Sequence, residues 1–127
     1  MNQQEFHRII DDLNEYNGVE IVLLLNSEGD IIFTSKETDL DHTEIKSLFK
    51  AWKDRESSII FKNQRYAILK NDDIQLAAIN TTGKKGNIAG SITNEGDYLL
   101  AHISNKTELT LLEWSIYVNK LAWQSYT

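Results

Sequence analysis

Hydrophobic residues recur three and four positions apart at the start of the chain. Phe6, Ile9, Ile10, Leu13 and Tyr16 share one helical face, with Gln4, Arg8, Asp11, Asp12 and Glu15 elsewhere. This spacing predicts an amphipathic helix ended by Asn17-Gly18, since glycine adopts the left-handed conformation that closes a helix without a Cβ penalty. Val19 to Asn26 (VEIVLLLN) reads as a strand, and from Ile21 it is apolar on both faces, so it must be covered on both sides. Asn26 to Asp30 is turn chemistry, and Ile31 to Ser35 pairs back as the second strand of a hairpin.

The polar stretch Lys36 to Asp41 leads to Ile45, Leu48, Phe49 and Trp52 at helical spacing. Asp41 with Glu44 resembles a capping box, and Asp39, Asp41 and Glu44 place negative charge at the positive helix end. Lys46, Lys50 and Lys53 follow toward the other end. Short strands are then predicted at Ile59–Phe61, Tyr66–Lys70, Ile74–Asn80, Ile88–Thr93 and Tyr98–Ile103, separated by turn residues that include Asn71-Asp72-Asp73 and Gly83-Lys84-Lys85-Gly86. The last of them, YLLAHI, is nearly continuous in apolar character, which places it beside the first strand in the sheet centre. Ser104 or Asn105, the latter with Glu108, opens a final helix to about Trp123, with one stripe of Leu109, Leu112, Ile116 and Trp123 and another of Leu111, Trp114, Val118, Leu121 and Ala122. Strands buried on both faces require helices on both faces. The expected fold class is α/β (α+β): a single domain over 1–127, a three-layer α/β/α sandwich around an antiparallel sheet of five or more strands. Its order is α-β-β-α-β-β-β-α, with room for an extra hairpin.

Composition narrows the function. The chain has 127 residues, 41% of them hydrophobic and 25% charged, which suits one globular domain. With no cysteine, disulfides, thiolate metal sites and cysteine nucleophiles are excluded. The absence of proline excludes proline-rich ligands and stiff linkers. Net charge is −6, with 9 basic and 15 acidic residues up to Gly83 and 4 of each thereafter, so general affinity for nucleic acid or anionic membrane is not expected. The N-terminus lacks a signal-peptide pattern and the longest aliphatic run, Ile21 to Leu25, is too short to cross a bilayer, so no direct membrane insertion and a cytoplasmic location are expected.

No catalytic set emerges. Asp39, Asp41, His42 and Glu44 are better explained as helix capping than as a metal site, and His102 as a satisfied sheet histidine. Gly83-Lys84-Lys85-Gly86 has neither the spacing nor the helix of a phosphate loop. Neither a cofactor nor a metal is expected, and the protein is not expected to be an enzyme. What remains is contact surface: Trp52, Trp114, Trp123, Tyr117 and Tyr126 are side chains of the kind that anchor interfaces, and at least one sheet edge is open.

The stretch Gly18 to Ser35 (GVEIVLLLNSEGDIIFTS) resembles the first hairpin of roadblock/dynein-light-chain domains, with Leu24-Leu25-Asn26-Ser27-Glu28-Gly29 the nearest local match. That resemblance implies a non-catalytic scaffold, paired as a homodimer or with a related roadblock-like chain, that binds a Ras-like small GTPase and modulates its activity or organises a larger complex. By position it assigns the dimer or partner interface to Ile45, Lys46, Phe49, Lys50, Trp52 and Lys53 of the middle helix and to Tyr66, Ile68 and Lys70. One departure stands out: between the middle helix and the last strand that family has two strands, whereas Ile59 to Thr93 has room for three or four. Profilin-like and longin-like domains share related layouts. A profilin-like reading implies binding of actin or polyproline, and helix-flanked sheets of this size also serve as small-molecule sensors.

Overall fold

A computed structural model describes residues 1–36, 40–72 and 74–124. Three residues singled out in the sequence, Asp39 at the middle helix start, Asp73 in a turn and the aromatic Tyr126, lie outside the described residues. The elements are α1 (Gln3–Leu13), β1 (Val19–Leu25), β2 (Ile31–Thr34), α2 (His42–Lys53), β3 (Ser58–Phe61), β4 (Gln64–Asn71), β5 (Gln75–Asn80), β6 (Asn87–Ile92), β7 (Tyr98–Ile103) and α3 (Leu111–Trp123). All described strands join one antiparallel sheet in the order β2-β1-β7-β6-β5-β4-β3.

The expected layered sandwich is corrected by the curl of this sheet. Phe61 on β3 and His102 on β7 are four strand-to-strand steps apart, roughly 19 Å in a flat sheet. Their rings are nevertheless 5.2 Å apart, and the Tyr66 hydroxyl on β4 lies 3.0 Å from His102 Nε2. The sheet is therefore a seven-strand half-barrel with three helices, and the five strands between α2 and α3 include the extra hairpin for which the sequence had room. Register shifts at Leu24/Leu25, Val19/Ile21 and Ile68/Lys70 supply local twist, because an extra residue on one strand bends it.

The concave side holds one core: Ile45, Leu48, Phe49 and Trp52 of α2 pack onto Leu23, Ile59, Phe61, Leu76 and Leu100. Gly90 makes this fit possible, since a Cβ there would stand 2.7 Å from Trp52 Cη2. The convex side holds the second core, where Phe6, Ile9 and Leu13 of α1 and Trp114, Val118 and Leu121 of α3 cover Val22, Leu24 and Leu99. Beneath α3 the cross-strand row Ala77, Ala89 and Ala101 presents only methyl groups, so helix and sheet approach closely.

Two helix ends differ from expectation. The first helix stops at Leu13, and Gly18, at φ 117°, instead lets the chain pass Thr107, whose Cβ would be 2.7 Å from a Cβ at position 18. The last helix starts at Leu111, with Thr110 and Glu113 forming the capping box. The segment before it is taken up by tertiary bonds: Glu108 accepts from the Asn17 N–H at 3.1 Å, and Thr107 Oγ1 donates to the Asn17 carbonyl and accepts from Trp114 Nε1.

Candidate functional site

The residues that the sequence assigned to one interface are distributed over different environments. Ile45, Phe49 and Trp52 are buried in the concave core, Trp52 at 2% exposure, and Ile68 packs against them. This burial leaves little of the α2 aromatic stripe at the surface. Lys46 pairs with Asp30 at 2.8 Å, while Lys50 and Lys53 stay exposed on the outer side of α2, with the Lys53 ammonium 5.4 Å from the Phe49 ring centre. Lys70 belongs to the opposite face of the sheet, where its ammonium donates to Gln75 Oε1 at 2.8 Å.

Tyr66 is also internal. Its hydroxyl donates to the Lys85 carbonyl at 3.1 Å and faces His102 Nε2, while His102 Nδ1 lies 3.1 Å from the Glu20 carboxylate. Burial pushes the Tyr66 hydroxyl up to about 12, with the Glu20 and Glu44 charges adding to the effect. Burial likewise holds His102 below the usual histidine value, opposed by the Lys85 carbonyl and the Glu20 carboxylate. Tyr66 and His102 are buried, and their polar atoms are satisfied by each other, by the Lys85 carbonyl and by Glu20. Surface hollows lined by Trp52, Lys53 and Tyr98, by His7, Ile10 and Ser35, and by Tyr16, Leu109 and Ile116 hold 140, 230 and 250 Å³, each below the roughly 300 Å³ at which small-molecule pockets begin.

The remaining candidate is the convex face of β3, β4 and β5. Strand alternation sends Ile59 and Phe61 inward and Ile60 outward, and sends Ala78 and Asn80 inward and Ile79 outward. Ile60 is 45% exposed and Ile79 39%. Leu69, the extra residue of the β4 bulge between Ile68 and Lys70, is 63% exposed. Arg65 stands opposite Ile60 in the ladder and is exposed. On the neighbouring α3, Leu112 and Ile116 are exposed as well. The packing of α3 on β5 and β6 is fixed by polar bonds, Ser115 Oγ to Gln75 Oε1 at 3.3 Å and Asn119 Nδ2 to Ser91 Oγ at 3.0 Å. A group of exposed branched apolar residues beside basic ones marks a surface for a macromolecule. The sequence reading missed Ile60, Arg65, Leu69 and Ile79. Their signal was present in Ile59-Ile60-Phe61, an apolar run on both faces of a strand at the sheet edge.

The sequence is 55% identical to Loki profilin-3 of Lokiarchaeum sp. (strain GC14_75) over 123 residues, which span 97% of this chain and 99% of that one. The chain belongs to the profilin family. No family model matches the sequence. The profilin fold recurs in solved structures of low identity. LokiProfilin2, solved in complex with rabbit actin, is 17% identical with a TM-score of 0.79, over 96% of this chain and 95% of that one. LokiProfilin1 is 19% identical with a TM-score of 0.73, over 95% and 98%. A Schizosaccharomyces pombe profilin is 17% identical with a TM-score of 0.69, over 87% and 86%.

Membership in the profilin family overturns the roadblock/dynein-light-chain assignment. The resemblance rested on the hairpin around Ser27-Glu28-Gly29, a turn sequence that serves any tight hairpin. Four strands, β3 to β6, separate α2 from the last strand where roadblock domains have two. The partners expected from that resemblance, a second copy, a related roadblock-like chain and a Ras-like small GTPase, fall with it, as does the modulation of GTPase activity. No described helix is long and apolar enough to cross a membrane.

Proposed function

We propose that this profilin binds actin through the convex face of β3, β4 and β5 and the adjoining outer side of α3. The observation that carries the reading is the exposed group Ile60, Leu69 and Ile79 on a face otherwise built as a packed core. Two relatives of the same fold, LokiProfilin1 and LokiProfilin2, were solved as complexes with rabbit actin, which supports the choice of partner. Charge adds selectivity. Between positions 58 and 85 the chain carries five basic residues, Lys62, Arg65, Lys70, Lys84 and Lys85, against two acids, Asp72 and Asp73, in a protein of net charge −6. An apolar centre with a basic rim fits a partner surface that is apolar and acidic, and the charges speed encounter more than they add affinity.

The protein on this reading acts by contact, without catalysis, and in the cytoplasm. Lys70, among the residues singled out in the sequence, would sit at the rim of the contact. Titration of labelled monomeric actin with the protein tests the proposal, with Ile79→Asp and Lys50→Glu as variants. Binding that Ile79→Asp abolishes and Lys50→Glu leaves intact supports this face. Equal loss in both, or no binding by the unaltered chain, refutes it.

A further inference from the structure

We infer that Glu44 is the positioning residue of the β3–β4 hairpin, and through it of the actin-binding face; the second half rests on the reading given above. Phe61 and Gln64 are paired, so the hairpin turns on two residues, Lys62 and Asn63. Both have positive φ, 51° and 61°. A two-residue turn with both central residues left-handed favours Asn-Gly, because an L side chain is disfavoured there, and neither position is glycine. Asparagine tolerates this conformation, whereas lysine at the first position does not favour it.

The compensation comes from the far side of the core. Glu44, on the first turn of α2, accepts the Lys62 N–H on Oε1 and the Asn63 N–H on Oε2, the latter at 3.1 Å. Each carboxylate oxygen thus takes one backbone amide of the turn, a charge-assisted pair that holds only while both residues stay left-handed. Spacing alone would send the Glu44 side chain back to Asp41 as a capping box. Instead Asp41 caps alone, accepting from the Thr43 and Glu44 N–H groups, and Glu44 is free for the turn. The hairpin needs such a tie. β3 is a four-residue edge strand with a single neighbour, and it carries Ile60 opposite Arg65, the outer corner of the proposed contact.

The test uses the full chain with Glu44→Ala, Glu44→Gln, and each combined with the Asn-Gly turn made by Lys62→Asn and Asn63→Gly. Amide exchange at positions 62 and 63 and affinity for monomeric actin are measured on every variant. In Glu44→Ala both amides should exchange faster and affinity should fall about tenfold. Glu44→Gln, which keeps one acceptor, should fall between. The Asn-Gly turn by itself removes the Lys62 charge from the basic rim, so it serves as the reference: adding Glu44→Ala to it should cost no further affinity and should leave exchange at both positions slow. Unchanged exchange at both amides in Glu44→Ala overturns the inference, as does a further loss of affinity when Glu44→Ala is added to the Asn-Gly turn. If the unaltered chain does not bind actin, the reading of the face fails, and the exchange rates alone decide whether Glu44 positions the hairpin.

Discussion

The ring of Phe61, on the edge strand, stands 5.2 Å from the ring of His102, near the sheet centre. Contact between strands that are four steps apart means that the concave side is closed on itself, with α2 as its lid. Most of what α2 could offer a partner through Ile45, Phe49 and Trp52 is spent inside. Partner contact is displaced to the convex side, where α3 covers part of a sheet wider than two helices can screen.

The His102 cluster gives the fold a pH dependence. In the folded state burial lowers the histidine value from 6.5, so the unfolded chain binds a proton that the folded chain resists. Stability is therefore complete above about pH 6.5 and declines as pH falls from there toward the folded-state value. Urea unfolding at about pH 7.5 and pH 5.5 should show this loss in the natural sequence and a smaller one in His102→Gln. Equal losses in both would show that other groups account for the dependence.

Gly90 is a packing requirement for Trp52. An added Cβ would stand 2.7 Å from Trp52 Cη2 and 3.1 Å from the Leu99 carbonyl oxygen, so either the indole or β6 must move. Gly90→Ala is expected to cost about 1–3 kcal/mol, read as a lower urea midpoint with a changed tryptophan emission. A variant as stable as the parent would show that the indole shifts freely.

Thr110 is the true start of α3. Its hydroxyl accepts the Glu113 N–H at 3.2 Å, and Glu113 accepts the Thr110 N–H at 2.9 Å. Thr110→Ala should destabilise the protein by about 1 kcal/mol, whereas Asn105→Ala should have no capping effect. The reverse ranking would restore the earlier start.

That start also shows where the sequence was readable and where it was not. Asn105 with Glu108 and Thr110 with Glu113 have the same spacing, and propensity does not separate them. The choice is made by Asn17, which draws Glu108 and Thr107 into bonds from the other end of the chain. The pairing of β1 with β7 was legible, because two strands apolar on both faces belong together under helices. The span of α2 was legible from Ile45, Leu48, Phe49 and Trp52, but the depth of Trp52 was not, since it depends on the missing side chain of Gly90 across the core. Curl was hidden for a similar reason. It comes from register shifts and from small residues such as Ala77, Ala89 and Ala101, which carry no hydrophobic period of their own. The candidate face was hidden because Ile60 and Ile79 look like core residues until the helices are placed and do not cover them.

The central claim is that this profilin meets actin with the convex face that holds Ile60 and Ile79. Its most direct test is the affinity of the chain for monomeric actin, measured by fluorescence titration alongside Ile60→Asp and Ile79→Asp variants whose folding is verified by circular dichroism. The account predicts saturable binding by the natural chain and a loss of about tenfold or more in each variant. Undiminished binding by both folded variants would contradict it.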